Sequence, residues 1–211
     1  MTTRLRCLAA LLAVSSLAGC RTAAPTIVQA GAPGQASRTV PGGAGAPLTR
    51  IPHTAADTAF MQGMIGHHAQ ALEMTALLAT RTASDSMKLL ALRIDVSQKD
   101  EMGFMRGWLT KRGETVPGDH AHHMQGATLM PGMLTAEDMS ALSAAKGTAF
   151  DRLFLRFMIK HHEGALVMVK DLFTKDGAGQ EAEINAFASD VDADQRMEID
   201  RMRGMLMEME K

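Results

Sequence analysis

A pair of adjacent histidines with a methionine four residues before its second member occurs twice in this chain: Met64 with His67-His68, and Met158 with His161-His162. The surroundings repeat as well. Phe60, Met64, Ile65, His67, His68, Ala71, Leu72 and Met74 recur 94 residues later as Phe154, Met158, Ile159, His161, His162, Ala165, Leu166 and Met168. Imidazole and thioether donors together suit copper better than any other common metal: thioethers favour Cu(I), and imidazoles also accept Cu(II). Other transition metals stay open to the same donors. On a helix, residues four apart meet on one face, so Met64 with His68 and Met158 with His162 are pairs that could grip one ion. His67 and His68 diverge by about a quarter turn and cannot both face the centre of a bundle squarely. His67 and His161 occupy equivalent positions, so related packing of the two halves would pool their rings. Met74 shares the face of His67 but lies about 10.5 Å further along the axis, which makes it a second site or plain core; Met168 is its counterpart.

A second echo has an offset of 97. Gln98, Glu101, Met105, Arg106, Gly107 and Leu109 match Gln195, Glu198, Met202, Arg203, Gly204 and Leu206. Gln98, Glu101 and Met105 fall on one helical stripe, as do Gln195, Glu198 and Met202. If those stripes face inward, Glu101 and Glu198 are buried acids that need a partner. Two readings stand: a hydrogen bond that orients His67 or His161, or a structural ion pair with Arg106 or Arg203. A carboxylate-rich di-iron centre would draw on Glu-x-x-His pairs. The residues three before the four histidines are instead Met64, Ile65, Met158 and Ile159, which favours a softer metal. A weaker cluster, His120, His122, His123 and Met124 with Met130 and Met133, sits in a Gly- and Pro-punctuated stretch and reads either as a loose capture arm or as a solvated loop.

The elements that must position these residues are helical. Thr54 with Asp57 forms a capping-box signature, and helical spacing then persists to about Thr82. Ser84 or Asp85 starts a second helix that ends at Lys111-Arg112-Gly113, cations followed by a C-cap glycine. Residues 114–134 read as a crossover loop, and Thr135 with Asp138 as the start of a short helix to about Ala145. Thr148 with Asp151 signals a third long helix to about Lys175, and a fourth runs from about Gln180 to Glu210. The spacing predicts an all-α protein: a ferritin-like four-helix bundle built from two repeated hairpins, residues 54–113 and 148–210, with a turn three residues longer in the second.

The N-terminal region has a different character. Arg4 and Arg6 precede an apolar run from Cys7 to Gly19 that is too short to span a bilayer, and Leu17-Ala18-Gly19-Cys20 follows. Residues 1–19 resemble a bacterial lipoprotein signal, with Cys20 the lipidated first residue of the mature chain. The protein is then expected outside the cytoplasm, held by lipid to a cell or outer membrane and facing the periplasm or the exterior. Residues 20–50, rich in Ala, Gly and Thr and carrying Pro25, Pro33, Pro41 and Pro47, read as a flexible tether, and residues 51–211 as the folded domain. Cys7 and Cys20 are the two cysteines, so no disulfide is expected and packing must supply the stability. A net charge of −1 without a basic block offers nucleic acid no footprint.

The run Phe150-Asp151-Arg152, then Met158-Ile159-Lys160-His161-His162-Glu163-Gly164-Ala165 to Met168, followed by Gln195, Glu198 and Met202, resembles family 305 of the domains of unknown function, over nearly all of residues 54–209 in both halves. The resemblance implies a ferritin-like fold, an extracytoplasmic bacterial setting and, as in some members, copper binding. Three functional readings follow. The first is copper sequestration or transfer without bond-making chemistry. The second is a ferritin-like metal-dependent oxidase, and the third a structural or interaction bundle. No residue is assigned a catalytic role.

Overall fold

The computed structural model describes residues 26–41, 51–118 and 129–211. Helix α1 (Ala55–Ala76) starts where Thr54 and Asp57 exchange hydrogen bonds: Thr54 Oγ1 accepts from Asp57 N, and Asp57 Oδ2 accepts from Thr54 N at 2.7 Å. After a break at Leu77 the path continues as the single turn α2 (Leu78–Arg81), so the two together span the helix expected to reach Thr82. Helix α3 (Asp85–Lys111) is capped by Ser84. It ends at Gly113, whose φ of +70° lets Glu114 N donate back to Leu109 O at 3.0 Å and so close the last turn. Helix α4 (Ala136–Ala144) opens with the Thr135–Asp138 capping box.

Helix α5 (Gly147–Thr174) begins earlier than the sequence signal at Thr148 and Asp151 suggests, and no side chain caps it. Ala145 and Lys146 alone link it to α4, and the buried, stacked rings of Phe150 and Phe154 draw its first turns into the core. Helix α6 (Ala182–Met209) is capped by the buried Glu181.

Helix α1 packs on α3, α5 packs on α6, and the two hairpins join along α1 and α5. At 1.5 Å per residue α3, α5 and α6 are each about 40 Å long. The core divides into two apolar clusters, one toward each end of the bundle. Phe60, Met64, Met105 and Trp108 belong to the first, and Met74, Phe154, Met158 and Met202 to the second. The histidine pairs fall between them. The fold is the expected helical bundle of two related hairpins, and among the described residues no helix is long and apolar enough to cross a membrane.

One part of the expected tether is ordered. Strands β1 (Thr26–Gln29) and β2 (Arg38–Pro41) pair antiparallel, Thr26 opposite Pro41 and Gln29 opposite Arg38. Gln29 is 1 % exposed. Its Nε2 donates to Lys175 O at 2.9 Å, and its Oε1 accepts from Gly177 N at 2.9 Å. Ala30 N donates to Gln180 Oε1, and Arg38 donates to Thr174 O and Asp176. The hairpin is thus seated on the turn between α5 and α6 by polar anchors, which leave no apolar periodicity in the sequence. The signal segment and Cys20 lie outside the described residues.

Candidate metal centre

The four paired histidines are buried at the middle of the bundle. His67 on α1 and His161 on α5 meet across the interface between the hairpins, ring centroids 3.8 Å apart and tilted by 36°. His68 and His162 turn aside, their rings 6.3 and 6.2 Å from those of their neighbours, as the 100° step between consecutive helical residues requires. Each points at its own hairpin partner. His68 Nε2 bonds Glu101 Oε2 on α3, and His162 Nε2 bonds Glu198 Oε2 on α6 at 2.5 Å. The sequence reading gave these glutamates His67 and His161, or Arg106 and Arg203. His67 lies against His161 at the centre and its Nε2 donates to Pro131 O of the 130–134 segment at 3.0 Å, so the carboxylates reach the next ring round. Arg203 pairs with Glu163 at 2.7 Å.

A carboxylate accepts, so the shared proton sits on Nε2 and Nδ1 keeps its lone pair. In both His68 and His162 that Nδ1 is buried without a hydrogen-bond partner, and in His161 both ring nitrogens are. An orphaned buried acceptor is costly unless something occupies it. A ring held at one nitrogen by a carboxylate and open at the other is the form in which histidine ligates metal. Burial holds the pKa of His161 well below its ordinary 6.5, with further lowering from His67, His162 and His68, so His161 is neutral and able to donate its lone pair.

Met64 and Met158 lie fully buried one turn before His68 and His162, and Met105 and Met202 are fully buried on the facing helices. Gln98 and Gln195 are buried on the same stripes, and Gln98 Oε1 and Gln195 Nε2 have no partner. Among the described residues no three His, Cys, Asp or Glu side chains converge closely enough to hold an ion alone. A complete shell therefore calls on the neighbouring thioethers. Met74 and Met168 follow the histidine pairs on α1 and α5. Met74 lies inside one apolar cluster, whereas Met168 is half-buried, with its methyl and the Met130 sulfur both crowding Gly63. His120, His122, His123 and Met124 lie outside the described residues.

Three features of this region were not singled out from the sequence. Residues 130–134 form a strap across α1 and α5. At Gly164 a Cβ would stand 1.9 Å from Pro131 O, so only glycine lets the strap lie so close. At the equivalent position of the first half, Gln70 bonds both polar groups of Leu134, donating to its O at 3.0 Å and accepting from its N at 2.8 Å. The mismatch of Gln70 with Gly164 in otherwise matching segments was the signal available. The third is Asp194, whose pKa is raised by partial burial and by the charges of Glu101, Glu198 and Asp190. Its counterpart Ser97 instead donates to Glu101 Oε1 at 3.4 Å.

Comparison with known proteins agrees with this architecture. A DUF305 fragment from Deinococcus radiodurans is 31 % identical with a TM-score of 0.64, over 74 % of this chain and 99 % of that one. A candidate secreted DUF305 protein from Streptomyces coelicolor is 30 % identical with a TM-score of 0.61, over 73 % and 93 %. CopM in its Cu(I)-bound form is 27 % identical with a TM-score of 0.57, over 72 % and 96 %; structures of its Cu(II)-bound and silver-bound forms match as well. No curated protein matches the chain. The model of the domain of unknown function 305 family, DUF305, matches residues 57–206, and the chain belongs to that family.

Proposed function

We propose that this protein is an extracytoplasmic copper-binding protein that sequesters the ion or passes it on. The observation that carries the reading is the pair of buried histidine–carboxylate couples, His68–Glu101 and His162–Glu198, each with an unclaimed Nδ1 and a fully buried methionine one turn away. His68, His162, Met64 and Met158 are the principal ligands, with His161 and His67 completing the shell at the junction of the hairpins. Glu101 and Glu198 hold the ring protons at Nε2 and so aim Nδ1 inward. Met105, Met202, Gln98 and Gln195 close the surrounding layer, while Met74 and Met168 serve packing. Copper bound here would be cargo, and no bond-making step is assigned to any residue.

The Cu(I)-, Cu(II)- and silver-bound forms of CopM support a soft metal on this fold. The secreted description of the Streptomyces relative supports export, and the lipid anchor is proposed from the tetrad ending at Cys20 alone. Titration of the Cys20→Ser chain with Cu(I) against a competing chelator should give binding tighter than micromolar, lost by about 100-fold or more when His67, His68, His161 and His162 become alanine. Binding weaker than micromolar, or unchanged in that variant, would remove the reading. Anchoring has its own check: wild type should sediment with membranes and Cys20→Ser should not.

A further inference from the structure

Three sides of the histidine layer are shut. Helices α1 and α3, α5 and α6, and α1 and α5 pack directly against one another, and the strap of residues 130–134 seals the outside of the α1–α5 seam. The fourth side is different: α3 and α6 meet toward one end, where Phe104 stacks on Phe187 at 4.8 Å and Arg112 pairs with Glu183, but are otherwise not closely packed, and two cavities open between them. One, of about 590 Å³, is walled by Leu92, Arg93, Val96, Asp194, Met197 and Glu198. The other, of about 490 Å³, is walled by Asp100, Glu101, Phe104, Asp190, Val191 and Asp194. Asp194 lines both, which makes them halves of one cleft.

The cleft ends at the two carboxylates that hold the histidines. The side chains of Glu101 and Glu198 are 14 % and 15 % exposed, while His68 and His162 behind them are fully buried. One glutamate is therefore all that separates each imidazole from the cleft, and the buried nitrogens without partners lie just beyond. The walls are acidic in the half that holds Asp100, Glu101, Asp190 and Asp194, whereas in the other Arg93 and Arg201 balance Asp194 and Glu198. Beside Glu198, Met197 is 65 % exposed and offers a thioether at the mouth. The acidic half concentrates cations beside Glu101.

We infer that cations enter and leave the histidine centre through the cleft between α3 and α6, drawn in by Asp190 and Asp194 and handed past Glu101 and Glu198. This rests on the copper-binding reading and adds the route to it. Asp194 replaces the neutral Ser97 of the first hairpin, so the attraction is stronger on the α6 side.

The test compares two variants of equal charge change in the full chain, both checked for wild-type helicity. Asp190→Lys/Asp194→Lys reverses charge in the cleft, and Glu137→Lys/Asp171→Lys does so on α4 and α5, away from it. Stopped-flow mixing with Cu(II), read by quenching of Trp108, gives the association rate. The cleft variant should associate about tenfold more slowly than wild type, with a weakened ionic-strength dependence, and the control within about twofold of wild type. Equal slowing in both variants, or more in the control, would overturn the route and leave the binding reading intact. No binding of Cu(II) or Cu(I) by wild type at equilibrium would overturn the two together.

Discussion

The two hairpins keep the same inner residues and differ in nearly everything laid over them. Both hold a histidine against a glutamate of the partner helix, a methionine one turn before that histidine, and a glutamine one turn before the glutamate. Around that constant layer, Gln70 of the first half grips the strap by hydrogen bonds where Gly164 of the second yields space to it. Ser97 corresponds to Asp194, and the tight turn of residues 82–84 corresponds to the longer one of 175–181, which receives Gln29 and Asp57. What survives in both halves is a donor set and its orienting groups. The parts that fasten the chain were free to diverge.

The largest effect expected from testing that division is on the strap. Gly164→Ala should destabilise the protein by about 3 kcal/mol in chemical denaturation, because the clash is with backbone. Gln70→Ala, which strands both polar groups of Leu134, should cost about 2 kcal/mol. Equal and negligible costs would mean the strap is not held as described. Next comes the constant layer. Glu101→Gln and Glu198→Gln should each weaken Cu(I) affinity by about 10- to 100-fold, and by similar factors, since the two couples are equivalent. If one variant alone matters, a single hairpin carries the site.

Gln29→Ala should cost about 2 kcal/mol by releasing the β-hairpin from the α5–α6 turn, while copper affinity stays unchanged. Loss of affinity there would tie the hairpin to the centre.

The smallest effect is a pH slope. The folded pKa of His161 lies below the unfolded 6.5, so below that pH the unfolded chain takes up a proton that folded His161 refuses. Metal-free protein should lose stability as pH falls from 6.5 toward the folded value, by at most about 1.4 kcal/mol per unit from this group, with no such loss above 6.5. His161→Gln should flatten the slope.

Much of this arrangement was legible in the chain. The 94- and 97-residue echoes gave the two hairpins, and capping signals at Thr54, Ser84 and Thr135 located three helix starts, because local hydrogen bonds decide such boundaries. The partner of each glutamate was not legible. One helical step separates His67 from His68, and the contact of His67 with His161 and its bond to Pro131 O decide which ring remains for Glu101. The start of α5 lies close to the expected position, but Thr148 and Asp151 do not cap it, and its first turns are held by the packing of Phe150 and Phe154. The β-hairpin escaped notice because Gln29 anchors it by polar contacts to residues nearly 150 positions away.

X-ray absorption at the copper edge of the Cu(I)-loaded protein tests the central claim most directly. Imidazole nitrogen and thioether sulfur should both appear in the first shell, with sulfur diminished in Met64→Leu/Met158→Leu and imidazole diminished in His68→Ala/His162→Ala. A shell free of sulfur, or one that neither variant alters, would contradict the account.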